Sequence, residues 1–360
     1  MARAVRVRAR RRLRFGILDA FLWVIRVATL VAVVWGSYVS ISSGRLTGAQ
    51  WRDLVVFGIS QGSVYALIAL GYTMVYGVMR FINFAHGEVF MAGGMIGYFA
   101  AVALAGTPLW TGQPLVALLA VLLVAMATST LIALGLERVA YRPLRGAPRL
   151  VPFITAIGAS FFLQYAFAGL FGVGQKRWPS VETLEGKFEF PGLVILKSQL
   201  LVILSALVMM ALLYLLVERT RAGRSMRAVA EDQEIAALMG IDVDRTIALV
   251  FGVGGAMAGV AAFLWGMAVT RQSHFFMGFF PGIKAFTAAV LGGIGNLAGA
   301  LVGGLVLGIV ESLGPSLVLT GLGVPSAHQL KDVVAFLVLV IVLIFRPTGI
   351  LGERLAEERA

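Results

Sequence analysis

There is no cysteine in the 360 residues, and there are only three histidines, set far apart. Disulfides, thiolate nucleophiles and Cys-ligated metals are therefore excluded, and the histidines have no metal-site spacing. Charge is scarce as well: Asp, Glu, Lys and Arg make up 13% of the chain against 59% hydrophobic residues, with a mean hydropathy of +0.91. That balance lies far outside soluble globular composition. Catalytic patterns are missing too. There is no HExxH, no GxSxG, and no pair of intramembrane aspartates suited to acid–base work. The P-loop pattern GxxxxGK[ST] is absent, because Gly186-Lys187 is followed by Phe188 and position 181 carries no glycine. No enzyme is expected, and the chain cannot hydrolyse ATP through a P-loop of its own.

What is present is a series of apolar runs of about 20 residues, each long enough to cross a hydrocarbon core of about 30 Å. Lipid cannot satisfy open backbone groups, so these runs must be helices, and the absence of period-2 alternation excludes a barrel. The expected class is an all-α polytopic membrane protein. Its net charge of +12 is a matter of topology, since the arginines collect in a few loops and in residues 1–14, which hold Arg3, Arg6, Arg8, Arg10, Arg11, Arg12 and Arg14.

Spans are expected at 15–41, 54–79, 84–105, 115–136, 151–171, 200–217 and 246–269. The arginine cluster places the N-terminus in the cytoplasm by the positive-inside rule. Counting on, the loop with Arg138, Arg142, Arg145 and Arg149 is cytoplasmic, the mixed-charge loop 172–197 is external, and the segment 218–245 is cytoplasmic. Parity and charge agree. Residues 282–296 would make a helix of about 22 Å, short of a crossing. About ten spans result if they cross; nine result if they form a re-entrant hairpin, which would leave the basic C-terminus outside. The expected organisation is thus an Arg-rich cytoplasmic N-terminus (1–14), a single transmembrane domain (15–352) and a short tail (353–360).

Polar residues within spans are functional candidates, because burying them in lipid is costly. The tightest group is Asn83, His86, Gly87 and Glu88. It reads either as a gating or pathway element at a helix start or as a cap by Asn83 with His86 and Glu88 tying helices together. Gln61, Gln164 and Glu311 read as interhelical hydrogen-bond partners. Glycine is abundant, with 43 residues, and falls largely inside the spans, in small-xxx-small series such as Gly93/Gly97, Gly255/Gly259, Gly295/Gly299/Gly303 and Gly304/Gly308 that allow close helix packing.

The longest charge-dense stretch is ERTRAGRSMRAVAEDQEIAALMGIDVDR, 218–245. As a helix from about Arg224 to Gly240, it would put Met226, Val229, Ala230, Ala236 and Ala237 on one side and Arg224, Arg227, Glu231 and Glu234 on another, with Gly240 as C-cap. Connections in compact domains are usually short, so a loop of this length suggests a docking role.

This stretch closely resembles the cytoplasmic coupling loop of ABC-importer permeases for branched-chain amino acids, of the LivH type. MRFINFAHGEVFM (79–91) and GGIGNLAGALVGGLVLGIVE (292–311) match as well, so the likeness runs from about Trp51 to Gly352. The Arg-rich extension 1–14 departs from the pattern. The resemblance implies a type II, vitamin B12 importer-like ABC permease fold in the inner membrane, with a second homologous permease, two cytoplasmic ATP-binding subunits and an external solute-binding protein as partners. It implies that Arg221, Gly223, Arg224, Arg227, Glu231, Asp232, Ala236 and Gly240 couple to the ATPase, and that Asn83, His86, Gly87 and Glu88 lie near the pathway or a helix contact. It implies no cofactor on this chain, ATP being bound by the partners, and an amino-acid substrate. The alternative is a stand-alone secondary transporter or channel, which would need a buried coupling-ion site.

Overall fold

Apolar runs without water close their hydrogen bonds on themselves, and among the described residues nine helices are long and apolar enough to cross a membrane. The computed structural model describes residues 17–148, 150–190, 193–346 and 348–352. The expected cytoplasmic segment 1–14 and the tail 353–360 lie outside the described residues, as does Arg149.

In chain order the α-helices are α1 (Ile17–Ser42), α2 (Gly48–Met79), α3 (His86–Ala105), α4 (Pro108–Gly112), α5 (Pro114–Leu136), α6 (Leu150–Phe171), α7 (Lys197–Arg219), α8 (Arg221–Glu231), α9 (Gln233–Leu238), α10 (Val243–Leu264), α11 (Phe279–Gly292), α12 (Leu297–Gly314) and α13 (Lys331–Phe345). Wider π-type turns extend α5, α10 and α12. Two small antiparallel ribbons complete the fold: β1 (Lys176–Arg177) with β4 (Gln272–Ser273), and β2 (Lys187–Phe190) with β3 (Leu193–Leu196).

The centre of the bundle is α2, whose residues Ser60–Val75 are all buried. A helix apolar on every side belongs in such a position. It crosses α12 where glycines meet: a Cβ on Gly62 would stand 2.7 Å from the Gly304 carbonyl oxygen, and one on Gly304 would stand 2.6 Å from Ala66 Cα. Helix α10 lies as closely on α5, with Gly259 against Met126 Cα and Gly255 against the Ser129 carbonyl. Small residues let backbones approach this closely, as expected of the glycine series. Gly295 departs from its series. It sits in the turn before α12 with φ +94°, while Asn296 caps that helix by accepting from the Gly299 amide. Helices α1, α6, α7 and α13 are peripheral and expose side chains such as Trp35, Phe162, Leu207 and Val340.

Loops sort to two ends. Arg80, Arg142 and Arg145, α8 and α9, and the start of α10 share one end, where Arg80 donates to the Ala230 carbonyl (2.6 Å) and Arg142 and Arg145 pair with Asp244. Segment 172–197 lies at the other end with Gln272 and Ser273. Between them, residues 270–278 descend irregularly until Gly278 meets the Gly87 backbone, level with Tyr72; from there α11, 14 residues and about 21 Å long, continues to the α8–α9 end. There Leu291 and Gly292 accept from the Ile350 and Leu351 amides. The short segment 282–296 therefore completes a crossing instead of turning back. The chain traverses the bundle about ten times, one of them made half of irregular backbone, which is tolerated at membrane depth where protein surrounds it.

Candidate functional site

The turn after α2 is set by Arg80, whose left-handed φ of 56° ends the helix. The chain then folds back so that α3 begins at His86, well inside the bundle. Asn83 does not cap it: its Oδ1 accepts from the Tyr141 hydroxyl (2.6 Å), and no side chain caps α3. The tyrosine is fully buried and engages the side-chain oxygen that a cap would use. His86 lies edge-on to Tyr72 with ring centroids 4.8 Å apart, tying α3 to α2. Glu88, 1% exposed, accepts at Oε1 from Gln164 (2.7 Å) and Ser160 (3.4 Å) of α6. Its Oε2 has no hydrogen-bond partner among the described residues. Gly87 is required by contact, since a Cβ there would stand 2.7 Å from the Gly278 carbonyl.

Of these four, Gly87 and Glu88 border a cavity of about 240 Å³, lined also by Tyr72 and Phe84, by Phe153, Ile157, Ser160 and Phe161 of α6, and by Gly278, Phe279, Gly282 and Ile283; Asn83 and His86 do not line it. A single water needs only about 10–15 Å³, and ligand pockets begin near 300 Å³, so this space suits a small solute. Its walls are apolar apart from Glu88, Ser160 and the Tyr72 hydroxyl.

A second polar cluster went unseen in the sequence. Lys284 of α11, 4% exposed, donates to Glu311 Oε1 of α12 (2.7 Å) and Asp332 Oδ1 of α13 (2.6 Å). Gln61 of α2 donates to Glu311 (3.0 Å) and to the Tyr65 hydroxyl (2.6 Å). The roles of Gln61, Gln164 and Glu311 as interhelical partners match expectation. Lys284 and Asp332 carried a signal, as charges beside apolar runs, but their partners lie 27 and 48 residues from Lys284. Only tertiary structure joins them. Among the described residues no group of His, Cys, Asp or Glu is arranged to hold a metal ion.

The charged segment folds as two short helices, not as one helix from Arg224 to Gly240. Thr220 caps α8 by accepting from the Gly223 amide, and Asp232 breaks the run by capping α9 at the Glu234 and Ile235 amides. Gly240, at φ +83°, ends α9: its amide donates to Ala237, and the Ile241 amide to Ala236. This paired closure is a Schellman motif. The break resets the helical phase, so Met226, Val229 and Ala236 are buried as expected but Ala237 faces outward.

The motif residues divide accordingly. Gly223 packs where a Cβ would overlap the Leu216 and Val217 carbonyls, and Arg227 binds the Val217 carbonyl and Glu218, so both hold α8 against α7. Asp232, Ala236 and Gly240 shape α9. Arg221, Arg224 and Glu231 point outward, beside three apolar side chains that sequence reasoning missed: Ile235, Leu238 (87% exposed) and Met239 (78% exposed). The assembly is also fastened to α2, because Gln233 donates to the Val78 carbonyl (2.6 Å) and Arg80 to that of Ala230.

What these helices form is a half-open, solute-sized cavity in a polytopic membrane protein, with a charged, partly apolar platform projecting from an end. That is the build of a membrane transport subunit. The family model of the branched-chain amino acid transport system permease component matches residues 54–343, and the chain belongs to this family. It is 45% identical over 316 residues to the high-affinity branched-chain amino acid transport system permease protein BraD of Pseudomonas aeruginosa, covering 86% of this chain and 98% of that one. It is 42% identical over 304 residues to the permease protein LivH of Escherichia coli K12, covering 84% and 95%. A solved chain from an inward-facing metal-chelate type ABC transporter is similar at 16% identity over 89% of this chain and 99% of that one, with a TM-score of 0.42, too distant to assign residues.

Proposed function

We propose that this chain is the transmembrane permease subunit of an ATP-driven ABC importer of the inner membrane, forming the pathway for branched-chain or related amino acids together with a second homologous permease. The observation that carries this reading is the α8–α9 platform. Arg221, Arg224 and Glu231 stand beside exposed Ile235, Leu238 and Met239 on a chain without a P-loop. A mixed patch of this kind, fastened to the helices beneath it, suits docking of a protein that supplies force.

Two cytoplasmic ATP-binding subunits then bind ATP, and an external solute-binding protein delivers the substrate. In this orientation the α8–α9 end and both termini face the cytoplasm. Closure of the ATPase pair moves α8 and α9. Their attachments pass the movement to α7 through Gly223 and Arg227 and to α2 through Arg80 and Gln233, and α2 carries Tyr72 and the cavity wall. The type II arrangement implied by the sequence motifs fits this use of the platform.

The test is assembly. Affinity-tagged permease, expressed with its partners, should retain the ATP-binding subunits on purification, and the variant Arg224→Glu with Leu238→Asp should lose them while remaining in the membrane. Full retention by that double variant would remove the docking role from α8 and α9.

A further inference from the structure

The attachment of the α8–α9 platform to α2 reaches the cavity only at Tyr72, while most of the wall belongs to α3, α6 and α11. A second set of contacts runs from the platform toward that wall. Helix α9 leads through residues 239–242 into α10, and Asp244 lies in the first turn of α10. Both of its carboxylate oxygens accept from arginines of the α5–α6 connection, Oδ2 from Arg142 and Oδ1 from Arg145. Arg145 holds a second carboxylate as well. Its other terminal nitrogen donates to Glu137, which is buried in the π-type turn Glu137–Tyr141 at the end of α5. The planar guanidinium fork fixes the direction of both bonds, so Arg145 clamps the end of α5 to the start of α10. In the sequence these arginines read only as signals of topology; the structure gives them two acids.

From this turn the contacts continue inward. The Tyr141 hydroxyl donates to Asn83 Oδ1 (2.6 Å), and its ring packs against Phe251 of α10 and Phe81, with centroids 5.6 and 5.3 Å away. Asn83 stands in the turn that leads into α3, where Gly87 and Glu88 line the cavity. Helix α6 packs on the same π-type turn and begins soon after Arg145, and it carries Phe153, Ile157, Ser160 and Phe161 into the wall. One short stretch of chain thus touches the exit of the platform on one side and both α3 and α6 on the other. Asp244 and Arg142 are half-exposed, and pairs of that kind add little to stability, so the fold does not depend on them.

We propose that residues 137–145 are a second transmission element for the transport step, in which Asp244 and Arg145 are positioning residues that pass movement of the platform to α3 and α6 through Tyr141 and Asn83. The proposal rests on the transport function above and adds how movement reaches the walls that α2 does not supply.

The experiment uses the complete importer in proteoliposomes, with leucine uptake and ATP hydrolysis measured on one preparation. Asp244→Asn releases the arginines from the platform exit while leaving Glu137 its cation, and Tyr141→Phe removes only the hydroxyl that binds Asn83. Each should retain the ATP-binding subunits on gel filtration and keep its ATP hydrolysis, while leucine taken up per ATP falls by about fivefold, within the range of substitutions along a coupling route. Asp244→Glu, which keeps the carboxylate, should recover most of the loss. Because both substitutions cut one route, the double variant should lose no more than the more affected single variant. Losses that multiply would place the two residues on separate routes and overturn the relay. Unchanged uptake per ATP in either single variant overturns it too, as does loss of the ATP-binding subunits or of hydrolysis, which would make the network a structural brace. If the unmodified importer couples uptake to ATP and the variants match it, the relay alone fails. If the unmodified importer takes up no amino acid on ATP, the transport function fails and the relay with it.

Discussion

Two buried carboxylates of this bundle are treated in opposite ways. Glu311 is 2% exposed and is held by an ammonium group, Lys284, which also binds Asp332, with Gln61 and Tyr65 filling in around them. Glu88 is 1% exposed and is held only by neutral donors, beside a cavity. The first cluster joins α2, α11, α12 and α13 and gives both of its carboxylates an ammonium partner, although Glu311 Oε2 has no hydrogen bond among the described residues, and pairing of this kind is how a scaffold uses intramembrane ions. The second leaves its charge to be met from the cavity, which is how a site uses one. The exposed α8–α9 platform extends the contrast: Arg227 and Asp232 serve its own shape, while the exposed side chains of Arg224 and Leu238 make no hydrogen bond or ion pair among the described residues.

The contrast is broken most severely at Lys284. Lys284→Met leaves Glu311 and Asp332 without their cation and should destabilise the protein by about 3–5 kcal/mol, because an uncompensated buried charge remains. Thermal unfolding in detergent checks this, and Lys284→Met/Glu311→Gln/Asp332→Asn should recover most of the loss. A smaller effect is expected where packing alone is at stake. Gly304→Leu drives a side chain into the Ala66 backbone and should cost about 1–3 kcal/mol by the same assay. Glu88→Gln should change stability by no more than about 1 kcal/mol, since Gln164 and Ser160 can donate to the amide oxygen in place of the carboxylate, while amino-acid uptake by the assembled importer is lost. An unfolding shift in Glu88→Gln as large as that of Lys284→Met would erase the distinction between scaffold and site. Smallest of all, Leu238→Asp lies at an 87% exposed position and should stay within about 0.5 kcal/mol of the parent while weakening retention of the ATP-binding subunits.

Much of this was legible in the chain itself. Apolar runs located nine crossing helices because a membrane admits no other solution, and the glycine series announced the close α2–α12 and α5–α10 contacts. The polar turn at Asn83–Glu88 could be found because so few polar residues share its surroundings. What stayed hidden depends on distance along the chain. Glu88 meets Gln164 across 76 residues, and Asn83 meets Tyr141 across 58, so neither the carboxylate's half-filled shell nor the displaced cap could be read from local pattern. The break at Asp232 was locally encoded, as a side-chain cap competing with helix continuation, but the even amphipathic pattern on either side masked it. Exposed Leu238 and Met239 were hidden for the same reason, because the break turns them away from the bundle.

The most direct test of the central claim is uptake in proteoliposomes containing this permease, its partner permease and the ATP-binding subunits, with the solute-binding protein and labelled leucine on the side opposite ATP. The expected result is uptake that requires ATP and both ATP-binding subunits and is abolished by Arg224→Glu with Leu238→Asp. Uptake by the permease alone, driven by a proton or sodium gradient and indifferent to ATP, would contradict it.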